Sequence, residues 1–216
     1  MERNRVFALL LPLILLGAAS ASYAEDSGAL HCSEGEVPAY VITYDHYVTR
    51  LIDEQPDKIG HQVVTATADT RYYEETGEML PADARQRGET TYTPYQKTRW
   101  DTLDAVYTYV SVGNVARVRS HPLLEKNTIP YDVLSQKDTL RTVADFPCNW
   151  YEEDIAEIQT TQRCDAVFYG WITPLYSRKV AEGRDILFSE ASDISQRCVN
   201  KASLYVPKDK PWKFSD

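Results

Sequence analysis

The stretch Ala105-Val106-Tyr107-Thr108-Tyr109-Val110-Ser111-Val112-Gly113-Asn114-Val115-Ala116-Arg117-Val118-Arg119 decides the fold class. Two runs dense in β-branched and aromatic side chains flank a two-residue Gly-Asn link, which is the pattern of a tight β-hairpin. With Val112 opposite Val115, Tyr109 faces Val118 and Val110 faces Arg117. One face then carries Tyr107, Tyr109, Ala116 and Val118, and the other carries Val110, Arg117 and Arg119. Residues Tyr92 to Trp100 alternate well enough for a further strand, with Pro94 keeping it near an edge.

Working outward, Tyr40 to Leu51 reads as a strand with Tyr40, Ile42, Tyr44, His46 and Val48 on the better core face. Gln55 to Gly60 carries turn residues, and Val63 to Tyr73 reads as a second strand, antiparallel to the first. Residues 74–90 are rich in charge and hold Gly77, Pro81 and Gly88, which predicts an exposed loop. Asp165 to Ile172 is apolar on both faces and predicts a buried central strand ended by Thr173-Pro174. Leu175 to Val180 and Arg184 to Phe188 predict a hairpin across Ala181-Glu182-Gly183, and Leu204-Tyr205-Val206 a last strand.

Two short helices are expected. Ser135 with Asp138 resembles a capping box before Leu140, Val143 and Ala144. Asn149 with Glu152 does the same before Tyr151, Ile155 and Ile158, which places Glu152, Glu153 and Asp154 in a first turn where the helix dipole favours them. The sum is an α+β domain, predominantly antiparallel β, with a barrel-like or sandwich sheet and about two short helices.

The N-terminus carries Arg3 and Arg5, then the apolar run Val6 to Ala19, then Ser22-Tyr23-Ala24. This is the pattern of a secretory signal peptide over residues 1–24, with cleavage after Ala24, and after Ala21 as the second choice. Residues 25–216 form a single domain, and none of them makes an apolar run long enough to span a membrane. The expected location is periplasmic or secreted.

The four cysteines, Cys32, Cys148, Cys164 and Cys198, all follow the leader, and an even number in an exported chain predicts two disulfides. Cys32–Cys198 with Cys148–Cys164 is the first pairing to consider. The second helix speaks against it by separating Cys148 from Cys164, and Cys164–Cys198 with Cys32–Cys148 is the alternative. No CxxC pair occurs, so no metal centre is expected.

The formal net charge is -9, and losing Glu2, Arg3 and Arg5 with the leader makes the remainder more acidic still. That argues against nucleic acid as a partner, because phosphates demand clustered Lys and Arg, and Arg117, Arg119, Lys208, Lys210 and Lys213 are too few. No GxGxxG, P-loop, GxSxG, HExxH or SxxK occurs, so no cofactor is expected. Of His31, His46, His61 and His121, only His46 sits in a strong element, and its neighbour Asp45 points to the opposite face. A hydrolase with an unsignalled carboxylate or histidine site stays open as a third reading.

The distinctive residue type is tyrosine, with 15 in the chain. Tyrosine suits a sheet lattice, but it also suits ligand pockets, since each ring offers a large rigid face and one hydrogen bond. The first functional expectation is a non-catalytic binding protein of the cell envelope. It would hold a small apolar or aromatic ligand in a barrel-like pocket lined by Tyr44, His46, Tyr107 and Tyr109. The second is a protein-binding module, such as an inhibitor, immunity or assembly factor, that uses an aromatic surface patch on an envelope protein.

Overall fold

A computed structural model of the chain describes residues 30–50, 56–81, 86–88, 91–122, 140–156, 159–181 and 184–211. The expected signal peptide and the expected capping box at Ser135 lie outside these residues. Twelve antiparallel strands make up most of the described chain. They are β1 (Glu36–Arg50), β2 (Pro56–Ala66), β3 (Thr70–Met79), β4 (Thr93–Thr102), β5 (Ala105–Val112), β6 (Val115–Pro122), β7 (Leu140–Val143), β8 (Phe146–Ala156), β9 (Gln159–Phe168), β10 (Trp171–Ala181), β11 (Arg184–Glu190) and β12 (Asp193–Asn200). A 3₁₀ turn, Lys201–Leu204, follows, capped by the Asn200 side chain.

The strands lie in the order β6-β5-β4-β3-β2-β1-β11-β10-β9-β8-β7, with β12 also on β1. Strands β1 to β6 and β7 to β11 are two meanders in which each strand pairs with its neighbour in sequence, and β1 joins them. β11 and β12 run end to end along one edge of β1 in a continuous register, His46 opposite Glu190 and Thr43 opposite Asp193. The kink between them turns Ala191 N–H to Leu175 O and Ser192 N–H to Thr43 O.

β10 pairs with β11 only from Tyr176 onward, and a bulge at Leu175 marks the departure. Its first five residues leave the β11 edge and dock on the other layer. Tyr44 OH donates to Pro174 O at 2.6 Å, Arg71 Nη1 donates to Ile172 O, and Trp171 Nε1 donates to Thr67 O at 2.9 Å. Pro174 has no N–H to give, and it occupies the stretch of β10 that β11 does not reach. The result is a two-layer, sandwich-like arrangement. Between the layers Ile42, Tyr44, Val64 and Ala66 meet Cys148, Cys164, Ala166, Phe168, Trp171 and Leu175, each large apolar side chain contributing about 1.5–3 kcal/mol on burial.

The disulfides are Cys32–Cys198 and Cys148–Cys164. They fit an oxidising compartment, and no described helix is long and apolar enough to cross a membrane.

Several expectations are corrected. The helix expected from Asn149 is strand β8, paired residue by residue with β9, and the described part of the other expected helix, from Leu140, is strand β7. Helical spacing of Tyr151, Ile155 and Ile158 competed with a disulfide partner strand, and the cross-strand pairing won. With the helix gone, so is the objection to Cys148–Cys164. The barrel does not close, because β6 and β7 end the strand order unpaired with each other. The expected central strand from Asp165 to Ile172 is a hairpin broken at Tyr169-Gly170, both with positive φ (50° and 83°). Likewise Val63 to Tyr73 breaks at 67–69, and Glu74 to Met79 continues β3 instead of forming a loop. Leu204 ends the 3₁₀ turn and Tyr205–Val206 add no strand.

Candidate functional site

Register assigns the faces of the first layer. Tyr44, Gln62, Glu75, Lys97, Val110 and Arg117 form one rung, and Ile42, Val64, Tyr73, Arg99, Thr108 and Arg119 the next. These belong to the inner face. Tyr107 and Tyr109 stand in rungs with Trp100 and Tyr72, and with Thr98 and Glu74, on the outer face. Tyr44 therefore lines no cavity with Tyr107 and Tyr109. His46 stands opposite Glu190 in β1, but its side chain lies outside the described ones. Asp45 pairs across the strands with the exposed His61, at 3.5 Å.

The inner face holds a cluster of arginine, aspartate and tyrosine. Asp101 accepts from Arg71 (Nη2 to Oδ2, 2.7 Å) and from Arg99 (Nε to Oδ1, 2.5 Å). Arg163 reaches both oxygens of Asp165 at 3.0 Å, with hydrogen-bond geometry to Oδ1. Asp101 and Asp165 are fully buried. Burial pushes the Asp165 carboxyl above its ordinary range against the pull of Arg163 and of the Tyr151 hydroxyl. Burial also raises the Tyr73 phenol to about 12, although Arg71 draws it down, and it raises Tyr44 and Tyr151 as well. One rung further, buried Glu75 accepts from Tyr95 OH at 2.6 Å and from Lys97 Nζ at 3.2 Å. Each buried carboxylate is thus held by a cation, and each of these phenols stays protonated at neutral pH. Arg71 also lies over the Tyr73 and Trp171 rings, so the cluster braces one layer against the other.

A different concave surface lies where the start of β1 and the 3₁₀ turn meet the β2–β3 turn. This groove of about 180 Å³ is lined by Val37, Pro38 and Leu204, by residues 67–70, and by Tyr169 and Tyr205. It adjoins a more open depression of about 430 Å³ bounded by Thr70, Thr102, Tyr205, Val206 and Lys208. Tyr205 is 61% exposed and Tyr169 38%. Tyr169 is fixed from behind by Tyr40, whose ring lies 5.5 Å away and itself packs on Phe168 at 4.8 Å. The β1 side of the groove is tied by Cys32–Cys198, since Pro38 pairs with Cys198. Asp69 and Lys201 add charge to the lining.

No protein-family model and no curated protein matches this chain.

Neither Tyr169 nor Tyr205 stood out in the sequence, because Tyr169 sits in an apolar run and Tyr205 in one of the short segments near the C-terminus. The one available signal was Gly170, which breaks a strand pattern and marks a turn.

Proposed function

We propose that the chain is an exported, non-catalytic binding protein of the cell envelope, and that the Tyr169/Tyr205 groove holds a small apolar or aromatic ligand. The observation that carries this reading is that the apolar side chains of Val37, Pro38 and Leu204 line one groove together with two partly exposed tyrosines, whose rings offer flat faces to an apolar or aromatic ligand. The engagement of Asp101, Asp165 and Glu75 with framework cations supports binding over catalysis. The groove replaces the enclosed pocket that a closed barrel would have supplied.

The test is native mass spectrometry of the protein from an oxidising compartment, before and after denaturation, with titration of the apolar fluorophore N-phenyl-1-naphthylamine. Saturable 1:1 binding is expected, weakened about tenfold by Tyr205→Ser or Tyr169→Asn, since each ring face lost is worth about 1–1.5 kcal/mol. Asn is chosen at position 169 because it tolerates the positive φ there. Binding that neither substitution changes would refute the assignment. A protein retained in stoichiometric amount, in place of a small molecule, would make the same aromatic patch a protein-binding surface.

A further inference from the structure

In a chain with 32 acidic and 23 basic side chains, the inner face of β3 to β6 has the opposite balance. It carries Arg71, Lys97, Arg99, Arg117 and Arg119 against the carboxylates of Glu75 and Asp101, five cations to two anions and a surplus of three. Both carboxylates are 1% exposed and already engaged, Asp101 by Arg71 and Arg99 together and Glu75 by Lys97. In the other layer Arg163 and Asp165 pair with each other. Arg117 and Arg119 are exposed and have no carboxylate partner among the described residues.

Register sets four of these cations around two uncharged side chains. Lys97, Val110 and Arg117 form one rung and Arg99, Thr108 and Arg119 the next, so the cations stand at the corners of a rectangle about 10 Å across the strands and about 7 Å along them. Thr108 and Val110, both half-buried, lie inside it. The Thr108 hydroxyl has no hydrogen-bond partner among the described residues. Solvent reaches the inner pair of cations as well, with Lys97 27% exposed and Arg99 39%, and stems of this length bring charged heads together over a shared anion. Guanidinium forks match phosphate oxygens bidentately. At about −1.5 to −2 for each phosphate monoester, two such groups offset the surplus, whereas a single carboxylate does not.

We propose that the Lys97/Arg99/Arg117/Arg119 face binds a compact ligand bearing two or more phosphate groups, with Thr108 donating to a phosphate oxygen at its centre. Arg117 and Arg119 supply the unpaired charge, and the buried carboxylates hold Lys97 and Arg99 in place beside them. The same chemistry is offered by a soluble phosphorylated compound and by a lipid headgroup with two phosphates. This face shares no residue with the Tyr169/Tyr205 groove, so either assignment stands if the other fails.

The probe is sodium tripolyphosphate, titrated calorimetrically into the oxidised chain. Saturable 1:1 binding that weakens with added salt is expected, with inorganic phosphate at least about tenfold weaker. Arg119→Glu should weaken tripolyphosphate binding about tenfold and Arg117→Gln about threefold; both side chains are exposed and unpaired, so neither change threatens the fold. Arg197→Glu, an equal change of charge at an exposed position of β12, should leave it unchanged. Phosphatidylcholine vesicles with or without cardiolipin, whose headgroup carries two phosphates, separate the sources. Retention on the cardiolipin vesicles that tripolyphosphate displaces supports a lipid headgroup, and tripolyphosphate binding without retention supports a soluble compound. Absence of saturable tripolyphosphate binding would overturn the proposal. So would equal weakening by Arg119→Glu and Arg197→Glu, which would reduce the effect to attraction of a polyanion by net charge.

Discussion

Replacing Asp101 by asparagine keeps the shape of the side chain and removes the charge that Arg71 and Arg99 share. Three hydrogen bonds end on this carboxylate, which is 1% exposed: Arg71 Nε at 3.2 Å, Arg71 Nη2 at 2.7 Å and Arg99 Nε at 2.5 Å. Removing one member of a buried ion pair costs about 3–5 kcal/mol, because the other charge stays buried. Arg99 is 39% exposed and water can take over much of its share, whereas Arg71 is 15% exposed and cannot turn away. The low end, about 3 kcal/mol, is therefore expected for Asp101→Asn. Arg99→Met should cost less than about 1 kcal/mol. Arg71→Met, which also loses Ile172 O and two ring contacts, should cost about 2–3 kcal/mol. Urea unfolding of the oxidised protein measures this, and with a slope of about 2 kcal/mol/M the Asp101→Asn midpoint should fall by about 1.5 M. The Asp101→Asn/Arg71→Met double variant should cost clearly less than the two single variants together, with a coupling of about 2 kcal/mol. A midpoint shift below about 0.3 M, or strict additivity, would refute the reasoning that this cluster braces the two layers.

Three further outcomes are expected. Gly77→Ala should destabilise by about 3 kcal/mol by urea unfolding, because a Cβ there would lie 2.2 Å from Ile59 O and 2.6 Å from Gly60 Cα, both backbone atoms that cannot move without parting β2 from β3. Replacing Cys32 and Cys198 by serine should cost about 5 kcal/mol, and replacing Cys148 and Cys164 about 3 kcal/mol, since the bridges span 166 and 16 residues and the longer loop restricts the unfolded chain more. Equal losses would contradict that account. Tyr73 and Tyr72, both raised to about 12 from 10.0 by burial, each contribute stability that is complete below pH 10 and is lost as pH rises towards 12, by about 1.4 kcal/mol per unit for the deeply buried Tyr73 and by less for the more solvated Tyr72. Absorbance at 295 nm should show a set of tyrosines ionising only with unfolding, and complete ionisation of a still-folded chain near pH 10 would sink the assignment.

Much of the fold was legible because most pairing in this molecule is local. The Gly113-Asn114 hairpin has the expected register, Val112 opposite Val115 and Tyr109 opposite Val118. β1 and the β10–β11 hairpin occupy the segments that β-branched and aromatic residues marked, and the disulfides follow the pairing that brings the two ends together. The failures have physical causes. Tyr169 and Ala144-Asp145 adopt positive φ in tight turns, and such turns announce themselves in sequence only when glycine or asparagine occupies the strained position. At β8 the 3.6-residue spacing and the cross-strand lattice compete for the same residues, and a short segment goes to whichever partner the rest of the chain supplies.

The sequence by itself determined the predominantly antiparallel β class, strand β1, the β5–β6 hairpin and its register, and the chemical types available: many tyrosines, few histidines, an excess of acidic residues. Those follow from side-chain shape and alternation, which act over a few residues. Only the tertiary structure decided how the two meanders join. β11 and β12 return along β1 across more than a hundred residues, and β10 leaves that edge to dock on Arg71 and Tyr44. That closure sets which tyrosines are buried, brings Tyr169 beside Tyr205, and leaves β6 at the end of the sheet. It depends on contacts between segments far apart in the chain, which no local pattern encodes.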